Sequence, residues 1–265
     1  MKYKSKKFLI DGFSVSKIAK KYKTPVYCYS LRKLKENFKN FKKNFKLINP
    51  LTCFSVKANS NKILLNEIGK LGLGADVVSI GELLKALKSG IKPSKIVFSG
   101  VGKTKNEISF AIKKKILLIN AESKSEILEI EKIARIQKQQ VNVGIRLNPN
   151  TDAKTLSQIS TGKKENKFGV SEKNFLELTK YIHNSKYMNL KCLSVHIGSQ
   201  ILDTRPYEKM LIVLDKIIKK TRVFLVGDIM LDQYVFGRIK CCVASGGNSA
   251  QQPGKTFVPK MAKYA

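Results

Sequence analysis

The stretch "CFSVKANSN" (residues 53–61) runs from a short apolar segment, Phe54-Ser55-Val56, into a single lysine, Lys57, and then turns through small polar residues. A lysine amine held at the end of a rigid run can act as a covalent nucleophile towards a carbonyl. A surface lysine at a strand end is the plain alternative. His196, one of 2 histidines, closes another apolar run in "LSVHIGSQ". Behind it, Gly198 permits close backbone approach, and Ser199 supplies a hydroxyl able to donate to an anion. Arg146 ends a third run, "VNVGIRLN", either as a pocket-lining cation or as half of an ordinary ion pair. Asp76 and Glu82 in "GADVVSIGEL" read as acids of a site, or as a strand-end cap and a solvated helix residue. Cysteines at 28, 53, 192, 241 and 242 form no C-x-x-C pair. With so few histidines a zinc site lacks ligands, and no metal is expected.

These residues need elements to position them. Strand-like runs lie at 52–58, 74–79, 95–100, 116–122, 141–148 and 193–199. Each is short and mostly apolar, as parallel strands covered on both faces are. Amphipathic stretches at 62–72, 80–90, 106–115 and 125–139 alternate with them, and the repetition reads as βαβ units. Six strands in one regular series favour a β/α barrel over a doubly wound sheet. No G-x-G-x-x-G opens a helix after the first strand, which removes the main support for a dinucleotide fold. Lys57, Asp76 to Ser79, Ser99-Gly100, Glu122, Arg146 to Asn148 and His196 to Ser199 all fall at C-terminal strand ends. That is the face on which a β/α barrel builds its site.

Seven segments in order, "KYKTPVYCYS" (21–30), "CFSVKANSN" (53–61), "GLGADVVSIGEL" (72–83), "IVFSGVGKTKNEI" (96–108), "RLNPNTDAKT" (146–155), "ISTGKKENKFG" (159–169) and "VHIGSQI" (195–201), resemble one family. It is the barrel-type pyridoxal-phosphate-dependent amino-acid decarboxylases, which act on ornithine, arginine or diaminopimelate. ISTG…ENKFG and HIGSQ point to the diaminopimelate branch, and the likeness spans roughly residues 8–220. The resemblance implies an α/β fold of the (β/α)8 TIM-barrel type with pyridoxal 5'-phosphate as cofactor. It implies a carboxy-lyase that converts meso-diaminopimelate to L-lysine in lysine biosynthesis, acting on a small amino acid as a homodimer. Lys57 matches the Schiff-base lysine, His196 the histidine that stacks on the cofactor ring, and Asp76, Arg146, Gly198 and Ser199 other cofactor contacts. Glu82 matches an acidic position near the cofactor, and Lys167 a position close to the dimer interface. Leu156 stands where the family usually has a histidine.

The likeness stops near residue 220. About 250 residues make a complete barrel, and the expectation is a barrel domain over 1–220 that is cut short after about six strands. The family's glycine-rich phosphate loop, its E-P-G-R strand and its C-terminal β-domain are not found in the sequence, so the family's activity is implied without the parts that complete it. Residues 221–240 contain "VFLVGDIMLDQYVFGRI", which resembles the opening of ribokinase-type heptose-phosphate kinases, and 241–265 read as a flexible tail.

The composition is strongly basic, with 51 Lys+Arg against 19 Asp+Glu and a formal charge of +32. Such a charge invites a polyanion partner. The lysines are nevertheless spread along the chain at helical spacing, as in "LRKLKENFKNFKKNF" (31–45), where Leu31, Leu34, Phe38, Phe41 and Phe45 form the apolar stripe. That arrangement reads as solvated helix faces, not as a concentrated nucleic-acid site. No apolar run reaches membrane-spanning length and no signal-peptide core follows the basic start, so a cytoplasmic protein is expected. Two rivals remain: another amino-acid decarboxylase of the same family, and a non-catalytic fragment that binds polyanions without specificity.

Overall fold

The structure is a computed structural model that describes residues 2–4, 7–43, 50–151, 168–199, 201, 203–221 and 242–245. Lys167, Leu156 and the kinase-like stretch 223–239 lie outside the described residues. The chain divides into two compact units, Met1–Lys46 and Leu47–Ala265. They separate because the first ~45 residues make a sheet of their own.

In the first unit, β1 (Lys2–Lys4), β2 (Lys7–Ile10) and β3 (Phe13–Ser14) form an antiparallel meander. Asp11-Gly12 closes the β2–β3 hairpin with φ of 51° and 92°, the left-handed pair that an Asp-Gly turn supplies. The Asp11 carboxylate accepts the Ser30 hydroxyl at 2.7 Å and lies 3.3 Å from Arg32. Two helices complete the unit, α1 (Val15–Tyr22) and α2 (Leu31–Lys43). On α2 the apolar stripe holds: Leu31, Leu34 and Phe38 are half-buried and Phe41 is buried, while its lysines are exposed.

The second unit is built on a parallel sheet. Its strands are β4 (Leu51–Ser55), β5 (Gly74–Val77), β6 (Ile96–Phe98), β7 (Leu118–Ala121), β8 (Val141–Leu147), β9 (Met188–Val195) and β10 (Cys242–Ser245). Between them run α3 (Lys62–Lys70), α4 (Ile80–Lys88), α5 (Lys105–Lys113), α6 (Lys124–Ile136) and α7 (Glu172–His183), and α8 (Arg205–Thr221) follows β9. The sheet order is β10-β4-β5-β6-β7-β8-β9. From β4 to β9 each strand pairs with its successor, without the reversal that a doubly wound sheet requires. The expected β/α-barrel architecture therefore holds over these strands. Residues 242–245 pair in parallel with β4 from Cys242↔Leu51 to Ser245↔Phe54.

β5, β6 and β7 are short and wholly buried. Leu65, Ile68, Leu83, Ile108, Ile127 and Phe175 pack onto them from α3 to α7 and are at most 1% exposed. Each helix starts on a side-chain cap: Asn61, Ser79, Thr104, Ser123 and Ser171 accept backbone N–H groups at the starts of α3 to α7. Caps of this kind fix where the chain leaves each strand end and enters its helix. Among the described residues no helix is long and apolar enough to cross a membrane.

Candidate active site at the C-terminal strand ends

After β4 the chain makes one turn of 3-10 helix, Val56–Ala58, closed by the Asn59 N–H on the Val56 carbonyl at 3.1 Å. Asn59 accepts the Asn61 N–H at 3.0 Å, and the Asn61 side chain caps α3 by accepting from Ile63 and Leu64. The polar half of "CFSVKANSN" is thus a built turn. It places Val56 in the core and leaves Lys57 exposed at the strand mouth.

Arg146, on β8, lies at the same end of the sheet. Its Nη1 donates to both oxygens of Glu122, just past β7, at 3.0 and 3.2 Å. The Glu122 side chain is only 3% exposed and that of Arg146 12%. The guanidinium lies over the Phe168 ring, 4.9 Å from its centroid. Val170 holds Phe168 there: its N–H donates to the Arg146 carbonyl and its carbonyl accepts from Asn148, both at 2.8 Å. The ion pair of the sequence reading is present, and it holds the Arg146 guanidinium in one place at this strand end.

His196 follows β9, and its imidazole is held neutral. Its pKa is pushed down from 6.5 to about 3, first by burial, then by the positive charges of Arg146 and Lys57. Lys57, Arg146 and His196 follow or end β4, β8 and β9, so all three stand at the C-terminal end of the same parallel sheet. Gly198 is buried with φ of 148°, a backbone that side-chain-bearing residues rarely adopt, and Ser199 beside it is half-buried.

Asp76 sits on the strand next to β4, in register with Ser55, two residues before Lys57. It is 9% exposed, and its Oδ1 accepts the Ser99 hydroxyl at 2.6 Å. Ser99 Oγ in turn accepts from Asn120 Nδ2 at 3.2 Å. Asn120 Oδ1 is buried without a hydrogen-bond partner among the described residues. It lies against Gly144, where an added Cβ would stand 2.0 Å from it.

Glu82 is engaged in its own helix start. Its Oε2 accepts the Val78 N–H at 2.9 Å, and its own N–H donates to Ser79 Oγ at 3.2 Å. Glu126 repeats the arrangement two strands on, with the Glu122 N–H at 2.9 Å and Ser123 Oγ at 3.2 Å. A spacing of Ser-x-x-Glu explains both acids without a ligand. Among the described residues no cluster of three or more His, Cys, Asp or Glu side chains converges as a metal site does.

Glu122 appeared in the sequence only as one polar strand end among several, and Phe168 only as part of N-K-F-G. The signal for their pairing with Arg146 is that adjacent strands of a singly wound sheet end side by side. An acid after one strand and an arginine ending the next then meet.

Residues 31–230 match the family model described as pyridoxal-dependent decarboxylase, pyridoxal binding domain. The diaminopimelate decarboxylase of Helicobacter pylori strain J99 is 49% identical over 194 residues, which cover 73% of this chain and 48% of that protein. The diaminopimelate decarboxylase of Aquifex aeolicus is 40% identical over 211 residues, 79% of this chain and 49% of that protein. A crystal structure of the Helicobacter pylori enzyme complexed with L-lysine superposes with a TM-score of 0.79 at 38% identity, covering 88% of this chain and 65% of that chain. The chain spans about half the length of the curated relatives it matches.

Proposed function

Because this chain belongs to the pyridoxal-dependent decarboxylases through their pyridoxal-binding domain, we propose that Lys57 holds pyridoxal phosphate covalently and that the whole protein converts meso-diaminopimelate to L-lysine and CO2. The observation that carries the reading is that Lys57, Arg146 and His196 all stand at the C-terminal end of one parallel sheet. Those residues fit the cofactor: an exposed amine able to attach to an aldehyde, a flat uncharged ring, and a fixed cation suited to anionic groups. When bound, pyridoxal phosphate supplies an electron sink for the electron pair left as the substrate's α-carboxylate departs.

The rest of the work falls to side chains. Lys57 would supply the amine to which the cofactor aldehyde attaches. His196, which stays uncharged across the physiological range, offers a planar face against an aromatic ring without adding a competing cation. Arg146, gripped by Glu122 and Phe168, keeps its charge in one place while a carboxylate or phosphate oxygen comes and goes. Asp76, oriented by the Ser99 hydroxyl, is an acidic group near the cofactor. Gly198 and Ser199 present backbone and hydroxyl to the phosphate, and Lys167 lies near a homodimer interface. The protein works in the cytoplasm.

L-Lysine in the Helicobacter pylori complex is the product this reaction would leave, which supports diaminopimelate over shorter substrates. CO2 release from diaminopimelate, ornithine and arginine tests this choice, measured on the chain alone and on the chain extended with the C-terminal half of a relative. Turnover of diaminopimelate by the extended protein is the expected result. Preference for ornithine or arginine would reassign the substrate.

A further inference from the structure

Lys103 stands apart from the other lysines. In a chain with 51 Lys+Arg it is a lysine whose side chain is only 1% exposed, in the loop between β6 and α5. Its ammonium has three donors and three acceptors: the Gly100 carbonyl at 2.6 Å, the Asn120 carbonyl at 2.7 Å and Glu126 Oε1 at 2.6 Å. The Phe98 ring lies 5.6 Å from Nζ. Burying an ammonium is costly even when it is fully bonded, and a buried pair is weak evidence of net stability. What such a group does supply is position.

We infer that Lys103 is a positioning residue for the strand-end site, its buried ammonium fixing both the Glu122–Arg146 pair and the Asn120–Ser99–Asp76 chain. The first arm runs through Glu126. One of its oxygens takes Lys103, the other takes the Glu122 N–H at 2.9 Å, and the Glu122 side chain then holds Arg146. The second arm runs through Asn120, whose carbonyl accepts Lys103 while its side chain donates to Ser99, which donates to Asp76. Because Asn120 donates to Ser99 Oγ, the Ser99 hydrogen is directed at Asp76. Lys103, Glu126, Glu122 and Arg146 together carry two positive and two negative charges, so the cluster is neutral as a unit. None of these contacts involves the cofactor. The inference rests on the proposed function only for the use to which the site is put.

A brace that merely joins α5 to α6 would make the same contacts with Lys103, so the test must read the far end of the relay. That end is His196, which faces the charges of Arg146 and Lys57. The imidazole titrations of the cofactor-free protein would be followed by NMR, with the exposed His183 as internal reference. Lys103→Met is compared with Lys103→Met/Glu126→Gln, which leaves no unpaired carboxylate in case the single variant fails to fold. Glu131→Gln is the control. Glu131 ties α6 to α7 through Tyr181 and Ser185 and has no contact with the Lys103 cluster. Releasing Arg146 removes a charge that suppresses protonation of His196. Both Lys103 variants are therefore expected to raise its midpoint above that of the wild type, while Glu131→Gln lowers stability and leaves the midpoint in place. An unmoved midpoint in a folded Lys103 variant, or an equal shift in the control, overturns the inference. Since no cofactor is present, failure of the covalent-lysine reading leaves this result standing, and the reverse holds too.

Discussion

Acidification should weaken the fold through His196. In the folded protein its pKa is about 3, against 6.5 for an ordinary histidine. Between those values the unfolded chain binds a proton that the folded chain refuses, so stability rises with pH across the window and falls as the solution is acidified. The worked difference is about 2 kcal/mol between pH 8 and pH 5, and it approaches a ceiling of about 5 kcal/mol below pH 3. Partial solvent access to the ring makes that ceiling an upper bound. Other groups titrate in the same range, so the quantity to measure is a difference. Urea unfolding of the wild type and of His196→Asn at several pH values isolates it, because asparagine has no proton to gain. The wild type should lose about 2 kcal/mol relative to the variant on going from pH 8 to pH 5. A difference that stays flat over that range would mean that His196 is neither buried nor pressed by Arg146 and Lys57, and the site geometry would be wrong.

Glu122→Gln leaves the enclosed Arg146 without its counter-charge, and a loss of about 3–5 kcal/mol in the urea midpoint analysis is expected. Gly144→Ala places a methyl group 2.0 Å from Asn120 Oδ1; overpacking should cost about 1–3 kcal/mol by thermal or urea unfolding. Asn61→Ala removes the α3 cap and should cost about 1 kcal/mol, with a parallel loss of hydrogen-exchange protection at Ile63 and Leu64. Lys57→Met, at an exposed position, should leave the unfolding curve within about 0.5 kcal/mol of the wild type while removing covalent cofactor attachment, read by mass spectrometry.

Much of this was legible in the residues. The strands at 52–58, 74–79, 95–100, 116–122 and 141–148 overlap β4 to β8, because short apolar runs between capped amphipathic stretches have few other ways to fold. Lys57, Arg146 and His196 were legible for the same reason: each ends such a run. The hairpin at Asp11-Gly12 carried an Asp-Gly turn signal, yet its strands are only two to four residues long and their sequence, KYK and KFLI, is diluted by lysine. Helix α7 repeats the apolar spacing of the earlier helices, with Phe175, Leu178 and Ile182 buried, and was hidden by its distance from any strand-end motif. Glu82 carries a second signal beside its place near a strand end, since the Ser-x-x-Glu spacing also engages it at the helix start. Lys103 was not legible at all, since burial distinguishes it and sequence does not report burial of one lysine among many.

Lys57, alone among the many lysines, should anchor the cofactor, and incubation with pyridoxal phosphate, reduction with borohydride and peptide mapping reads this out. The reduced label is expected to concentrate on the peptide containing Lys57, and Lys57→Met to lose it. Label spread over many lysines, with no preference for residue 57, would contradict it.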